Sequence, residues 1–163
     1  MVAVFEGGIE VAEALQDLPA DHVFFTGSPA VGKRVMAAAA RHLSSVTLEL
    51  GGKNPAIVGQ DANLADAAAK VAGARFSNAG QLCLSVDHAW VHRSQIDTFT
   101  QVAAQVVQKM FYAEGQLQKE RFPRIVDARN LARLRGYLDD ALTRGARLVC
   151  GGNVDEHDLS FHP

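Results

Sequence analysis

Two side chains of this sequence have the chemistry for covalent catalysis on a carbonyl. Cys83 ends the stretch FSNAGQLC, in a glycine-containing turn that follows a predicted helix and from which a thiol can project. Glu49, in LELGGK, ends a predicted parallel strand, at the edge where open α/β sheets bind their ligands. A thiolate nucleophile and a carboxylate base can together form and resolve a covalent intermediate. Each also has a plainer interpretation, because an isolated cysteine is usually a small buried apolar residue and an isolated glutamate is usually solvated.

A third stretch, FFTGSPAVGKRV, has the form of a phosphate-binding turn. Gly27 is followed after four residues by Gly32 and a lysine, which nearly completes the loop of nucleoside triphosphatases. Arg34 replaces the Ser or Thr of that loop, and a guanidinium has no lone pair for Mg²⁺, so a triphosphatase is disfavoured. With Ser28 as a cap and Pro29 in the first helical turn, free amides of the helix can still face a phosphate. The alternative is a capped strand-to-helix turn without a ligand.

The composition excludes several classes of function. The chain has 163 residues, 48% of them hydrophobic and 21% charged, as in an ordinary folded protein. A formal net charge of -2 with scattered basic residues offers no field to a polyanion, so nucleic acid is not an expected partner. No apolar run is long enough to cross a bilayer, and we expect a cytoplasmic protein without a membrane span. Cys83 and Cys150 lack the neighbours of a metal site, and His88 and His92 are expected at the surface, so no metal is expected.

Apolar spacing predicts alternating strands and helices in the first 50 residues, followed by a break at Gly51–Gly52. This alternation is typical of an α/β protein with a parallel sheet. The predicted strands are Val2–Phe5, His22–Thr26 and Val46–Leu50, and the predicted helices run from Ile9 to Leu18 and from Val31 to Leu43.

A second region begins after GGKNP, where Asn54–Pro55 is expected to interrupt regular structure. It again mixes strands with alanine-rich or leucine-rich helices. The predicted elements are a strand Ala56–Val58, a helix Ala62–Asn78 capped by Gly80, a strand Leu84–His92, a helix from a Ser94 cap to Met110, a loop over residues 112–122, a helix Asp127–Arg144 and a closing strand Arg147–Cys150.

The stretches FTGSPAVG, LELGGK and FSNAGQLC, in this order and spacing, resemble the motifs of the NAD(P)-dependent aldehyde dehydrogenases. The interval from Gly27 to Glu49 and the later stretch RIVDARNLARLRGYLDDA most resemble the branch that includes fatty and coniferyl aldehyde dehydrogenases. The resemblance covers essentially the whole chain. It implies an α/β fold, in which residues 1–51 form the second half of a Rossmann-like nucleotide-binding domain and residues 52–163 the first half of a catalytic domain.

By this resemblance, Cys83 is the nucleophile that attacks the aldehyde, and hydride passes to NAD or NADP to leave a thioester that water hydrolyses. Glu49 resembles the general base that activates the water or the thiol, and the Cys83 N–H resembles an oxyanion donor. The implied cofactor-binding residues are Gly27, Ser28 and Gly32 at the pyrophosphate and Leu50 and Gly51 at the nicotinamide. Asn78, Gly80 and Gln81 are expected to shape the turn that presents the thiol.

Some features depart from the family pattern. Leu82, Val86 and His88 differ from the usual residues around the nucleophile, which implies an altered pocket for the small-molecule aldehyde. The chain is also much shorter than members of the family, so we expect an internal fragment that is weak or inactive as this chain alone. Pairing into a homo-oligomer is a further expectation.

Two other functions remain open at this point. One is a truncated, non-enzymatic interaction protein that keeps the core of the fold and pairs its exposed sheet edges. The other is a thiol esterase that uses Cys83 and Glu49 without a cofactor. Dinucleotide titration separates the dehydrogenase from the interaction protein, and ester turnover tests the esterase.

Overall fold

The computed structural model of the chain describes residues 2–163. Two compact units divide the chain, Met1–Gly52 and Lys53–Pro163. Both combine helices with parallel strands, which confirms the predicted α/β class.

The first unit is built on one pair of parallel strands and a helix that packs on both. Its elements are helix α1 (Ile9–Gln16), strand β1 (His22–Gly27), helix α2 (Pro29–Ala40) and strand β2 (Ser45–Leu50). The register runs from His22 beside Ser45 to Gly27 beside Leu50. Helix α2 buries Gly32, Val35 and Ala39. A Cβ on Gly32 would lie 3.1 Å from Leu50 Cδ2, so the missing side chain lets the helix approach the strand closely.

The predicted strand Val2–Phe5 does not form. These residues are in irregular structure, and Val2 and Val4 are 93% and 82% exposed. Within residues 2–163, no strand pairs with them. A run of β-branched residues becomes a strand only where another strand satisfies its backbone groups, and sequence pattern alone does not supply that partner.

The second unit also has a parallel pair at its centre, with helices packed beside it. Strand β3 (Asn54–Val58) pairs with β4 (Val86–Val91), and Val58, Ala68 and Phe99 form a core cluster between the strands and the helices. The other elements, in chain order, are helix α3 (Leu64–Phe76), two 3-10 helices (Ser77–Gly80 and Arg93–Gln95), helix α4 (Ile96–Phe111), strands β5 (Tyr112–Ala113) and β6 (Gln116–Leu117), helix α5 (Ala128–Thr143), and strands β7 (Val154–Asp155) and β8 (Ser160–Phe161).

The first residues of α4 and α5 test two of the sequence predictions. Helix α5 forms where the helix Asp127–Arg144 was predicted, and Asp127 is its N-cap, because the Asp127 Oδ1 accepts the Asn130 N–H at 2.7 Å. Ser94 was predicted to cap α4, and this was wrong. It lies inside a 3-10 helix, and α4 begins only at Ile96 after a Gln95 cap that makes no side-chain bond.

Three further predictions in the second unit need correction. The expected loop 112–122 contains the hairpin of β5 and β6, whose turn has positive φ at both Glu114 and Gly115, the geometry of a two-residue hairpin turn. The expected strand Arg147–Cys150 is irregular, because the chain forms its last hairpin further on, between β7 and β8. Gly80 ends the 3-10 helix rather than capping α3, whose cap residue is Ser77.

Within residues 2–163, none of the helices combines the length and apolar character needed to cross a bilayer. The same residues hold no group of three or more His, Cys, Asp or Glu side chains placed to share a metal ion.

Candidate active site

The carboxyl ends of β1 and β2 form one edge in the first unit. Thr26 lies beside Glu49 and Gly27 beside Leu50, so both strands end at the same edge. Glu49 is exposed and Leu50 is half-buried. The parallel pairing therefore brings together Glu49 and the residues expected to bind a cofactor.

Helix α2 begins at this edge with its amides only partly satisfied. The Val31 N–H donates to Ser28 Oγ at 3.3 Å, and the Gly32 N–H donates to the Ser28 carbonyl at 2.9 Å. Pro29 has no N–H, and among the hydrogen bonds of residues 2–163 the Ala30 N–H has no acceptor. The first turn carries no acidic side chain. A free amide at the positive end of a twelve-residue helix fits an anionic phosphate group.

Cys83 lies in the second unit, exposed, in the turn from Leu82 to Ser85. The Ser85 N–H donates to the Leu82 carbonyl at 3.1 Å and closes this turn. The side-chain amide of Asn54, at the start of β3, donates to the carbonyls of Cys83 at 2.8 Å and Ser85 at 3.0 Å. The backbone on the C-terminal side of the thiol is therefore fixed to the neighbouring strand.

The segment before Cys83 passes close to the Arg75 side chain at Gly80. Asn78, Ala79 and Gly80 all have positive φ, at 50°, 53° and 77°. The Arg75 Nη1 donates to the Val86 carbonyl at 3.2 Å. A Cβ on Gly80 would lie 2.8 Å from Arg75 Cζ and 3.1 Å from its carbonyl oxygen, so this position needs glycine.

Gln81 ties the same segment to a distant loop. Its Nε2 donates to the Arg124 carbonyl at 2.9 Å, and its Oε1 accepts the Val126 N–H at 2.9 Å. A second bond from Nε2 reaches the Asn78 carbonyl at 3.1 Å. Both ends of the Gln81 amide are thus used to shape the chain ahead of the thiol.

Charged groups lie beside the Cys83 turn rather than in it. Lys53 Nζ contacts Asp87 Oδ1 at 3.1 Å, and His88 Nδ1 lies 3.3 Å from Asp87 Oδ2. The hydrogen bond from Lys53, more than that of His88, holds the pKa of the Asp87 carboxyl below its ordinary value. His88 packs its ring edge-on against Trp90, at 5.9 Å between centroids.

Cys150, the other thiol, has a different environment. It is half-buried, and burial raises the pKa of its thiol. Cys83 is exposed. Burial in apolar surroundings makes a thiol less reactive, so the two cysteines differ in the direction expected for one reactive and one structural residue.

Sequence reasoning missed Asn54 and Arg75 as parts of the Cys83 environment. In the sequence, Asn54 is the residue before a proline, and Arg75 lies in the last turn of a helix. Their partners are backbone carbonyls 29, 31 and 11 positions away along the chain. Such contacts carry no local sequence signal, since a carbonyl is present at every residue.

A model of the aldehyde dehydrogenase family matches residues 1–163 of the chain. AldX of Bacillus subtilis is 46% identical over 163 residues, which cover 99% of this chain and 37% of that protein. Coniferyl aldehyde dehydrogenase of Pseudomonas sp. strain HR199 is 41% identical over 143 residues, 88% of this chain and 29% of that protein. The chain spans about a third of the length of the curated relatives it matches.

Solved structures agree in fold with this chain. The substrate-bound state of Staphylococcus aureus AldH superposes with a TM-score of 0.89 at 38% identity, over 98% of this chain and 34% of that one. Betaine aldehyde dehydrogenase of Staphylococcus aureus, in complex with NAD+, has a TM-score of 0.84 at 29% identity, over 98% and 33% of the two chains. The match to the family over residues 1–163, together with these relatives, shows that the chain belongs to the aldehyde dehydrogenase family.

Proposed function

We propose that the whole protein oxidises an aldehyde to a carboxylic acid with NAD or NADP, through a thioester on Cys83. The observation that carries the proposal is the parallel register of β1 and β2, which sets Gly27 beside Leu50 at the first turn of α2. Membership of the family supports it, as does the NAD+ bound to a betaine aldehyde dehydrogenase of the same fold.

In this proposal the first unit holds the cofactor. Ser28, Gly27 and Gly32 face the pyrophosphate, because the turn between β1 and α2 offers the unpaired Ala30 amide and the first turn of α2 carries no acidic side chain. Leu50, the last residue of the neighbouring strand β2, and Gly51, which follows it, border the nicotinamide. When bound, the nicotinamide supplies the hydride acceptor for the reaction.

Cys83 supplies the nucleophile. Its thiolate attacks the aldehyde carbon, forming a carbon–sulfur bond while the carbonyl electrons move to oxygen, and the Cys83 N–H stabilises that oxyanion. Loss of hydride from the same carbon leaves a thioester. Water then attacks the thioester, Glu49 accepts a proton from this water, and the carbon–sulfur bond breaks to release the acid and the Cys83 thiolate. The approach of Glu49 to Cys83 that this requires stays a prediction.

The same proposal assigns roles to the two parts of the chain. Residues 1–51 belong to a dinucleotide-binding domain and residues 52–163 to a catalytic domain. A cytoplasmic location, a homo-oligomeric state and low activity of the 163-residue chain by itself stay predictions.

The test is NAD(P)H formation by the whole protein with a panel of aliphatic and aromatic aldehydes. We expect Cys83→Ala to abolish turnover and the matched control Cys150→Ala to retain it. Glu49→Gln should lower kcat by at least about 100-fold, the usual contribution of a general base. Turnover that survives Cys83→Ala would contradict the proposal. Ester hydrolysis that depends on Cys83 but gives no NAD(P)H with any aldehyde would favour the thiol esterase instead.

A further inference from the structure

The hydrogen bonds around the Cys83 turn leave one group of that residue free. Its carbonyl accepts a bond from Asn54, whereas its N–H has no acceptor among the hydrogen bonds of residues 2–163. The Leu82 carbonyl belongs to the same peptide plane as the Cys83 N–H. Since this carbonyl accepts the Ser85 N–H and a trans peptide directs its C=O and N–H oppositely, the Cys83 N–H points away from the closed side of the turn.

Asn54 is the side chain that holds this arrangement to the strand. Both carbonyls it contacts need a donor, so the amide nitrogen, with its two hydrogens, is the end that faces them. The bonds to Cys83 and Ser85 secure the turn at two points, which removes rotation about either one alone. Asn54 itself is half-buried at the start of β3, where the strand backbone fixes its position.

We infer that Asn54 is a positioning residue for the proposed nucleophile: its two hydrogen bonds keep the exposed thiol and the free N–H of Cys83 in the orientation needed to stabilise an oxyanion. This inference rests on the proposed function. It also predicts a selective defect in reactivity, because the orientation of the Cys83 N–H matters only in reactions that develop negative charge on a carbonyl oxygen.

Two reactions of Cys83 in the whole protein distinguish the orientation of its N–H from the accessibility of its thiol. In acylation by p-nitrophenyl acetate, the thiolate bonds to the acyl carbon through an oxyanion intermediate, and p-nitrophenolate leaves with the electrons of the broken carbon–oxygen bond. In alkylation by iodoacetamide, the thiolate displaces iodide from a saturated carbon and no oxyanion forms. Loss of one oxyanion donor costs about 100 to 1000-fold in acyl transfer. A misdirected donor should therefore lower the acylation rate by at least about tenfold, with alkylation changed by less than threefold.

The variants form a matched set. Asn54→Asp removes both donors with almost no change of shape, and Asn63→Asp makes the same chemical change in the same unit. Asn63 is the appropriate control because its side chain accepts the Asp66 N–H at the start of α3, a role that aspartate also fills. Asn54→Ser keeps one donor, so partial rescue is expected. This milder variant also tests the inference if Asn54→Asp does not fold.

The expected result is a fall of at least about tenfold in the ratio of acylation to alkylation at Cys83 for Asn54→Asp, an intermediate fall for Asn54→Ser and no change for Asn63→Asp. Equal changes in both reactions would show a purely structural role and would overturn the inference. Acylation that depends on Cys83 but not on Asn54 would also overturn the inference, while leaving the proposed function intact. If acylation of the wild-type whole protein survives Cys83→Ala, or does not occur, both the proposed function and the inference are contradicted.

Discussion

Replacing Gly80 by alanine should destabilise the second unit far more than the same change at Gly115. The two glycines have almost the same backbone, with φ of 77° and 78°. A left-handed conformation costs a residue with a Cβ roughly 1–2 kcal/mol, partly offset by about 0.4–1 kcal/mol from the smaller entropy of the unfolded chain. Because both positions share these two effects, they differ only in what the new methyl group would meet.

At Gly115 an added Cβ meets nothing within 4 Å, so the loss in free energy of unfolding should be about 1 kcal/mol. At Gly80 it would lie 2.8 Å from Arg75 Cζ, and the guanidinium has to move. That movement breaks the 3.2 Å bond from Arg75 to the Val86 carbonyl, and a hydrogen bond to a charged group is worth about 1.5–3 kcal/mol. The expected loss for Gly80→Ala is therefore about 3 kcal/mol.

Urea unfolding of the two variants measures both free energies, with equal m-values as the condition for comparing them. The double variant Arg75→Ala with Gly80→Ala supplies the thermodynamic cycle. If the reasoning is right, Gly80→Ala costs only about 1–2 kcal/mol once the guanidinium is absent, since the 3.1 Å contact with the Arg75 carbonyl oxygen remains. Equal losses for Gly80→Ala and Gly115→Ala in the wild-type background would refute the argument that Gly80 lies against the Arg75 guanidinium.

Iodoacetamide should label Cys83 faster than Cys150 in the native chain, because Cys83 is exposed whereas burial raises the pKa of the Cys150 thiol. Peptide mapping by mass spectrometry measures both labelling rates, and faster labelling of Cys150 would contradict this prediction. Asp87→Asn should lower stability at neutral pH, because Lys53 depresses the pKa of the folded carboxyl below 3.8. The stabilisation by Asp87 is present above the unfolded pKa and is lost as the pH falls through the folded pKa, so unfolding curves of the two proteins should converge in acid, and a constant difference down to acidic pH would count against it. Asp127→Ala should lower the free energy of unfolding in urea by about 1 kcal/mol and Asp127→Ser by much less, because serine, unlike alanine, keeps a side-chain acceptor for the first turn of α5. Equal losses for the two variants would show that capping is not the cause.

Much of the first unit was predictable because its signals are local. The β-branched run before Gly27 predicted β1, and Ser28–Pro29 predicted where α2 begins. Glu49 was placed at a strand end from its position before Gly51–Gly52, and the parallel register confirms that placement. Each of these predictions depends on residues within a few positions of one another.

Elements that depend on distant partners were not predictable. The apolar run Arg147–Cys150 has a strand-like composition, yet within residues 2–163 it has no pairing strand. The short hairpin of β5 and β6 lies in a polar stretch without a strand-like pattern. Its turn is identified in the structure by the positive φ of Glu114 and Gly115. Asn54 and Pro55 were expected to interrupt regular structure. They instead begin β3, and the irregularity is limited to a register shift between them.

The central claim is that Cys83 forms a thioester during aldehyde oxidation, and trapping that thioester tests it most directly. The whole protein is mixed with an aldehyde and NAD(P)+, quenched in acid within one turnover, digested, and mapped by mass spectrometry. Glu49→Gln is used in parallel to slow hydrolysis of the intermediate. We predict an acyl group on Cys83 that accumulates in the variant, matches the aldehyde in mass, and requires the oxidised cofactor. An acyl group on Cys150, or none on Cys83 while NAD(P)H is formed, would contradict the account.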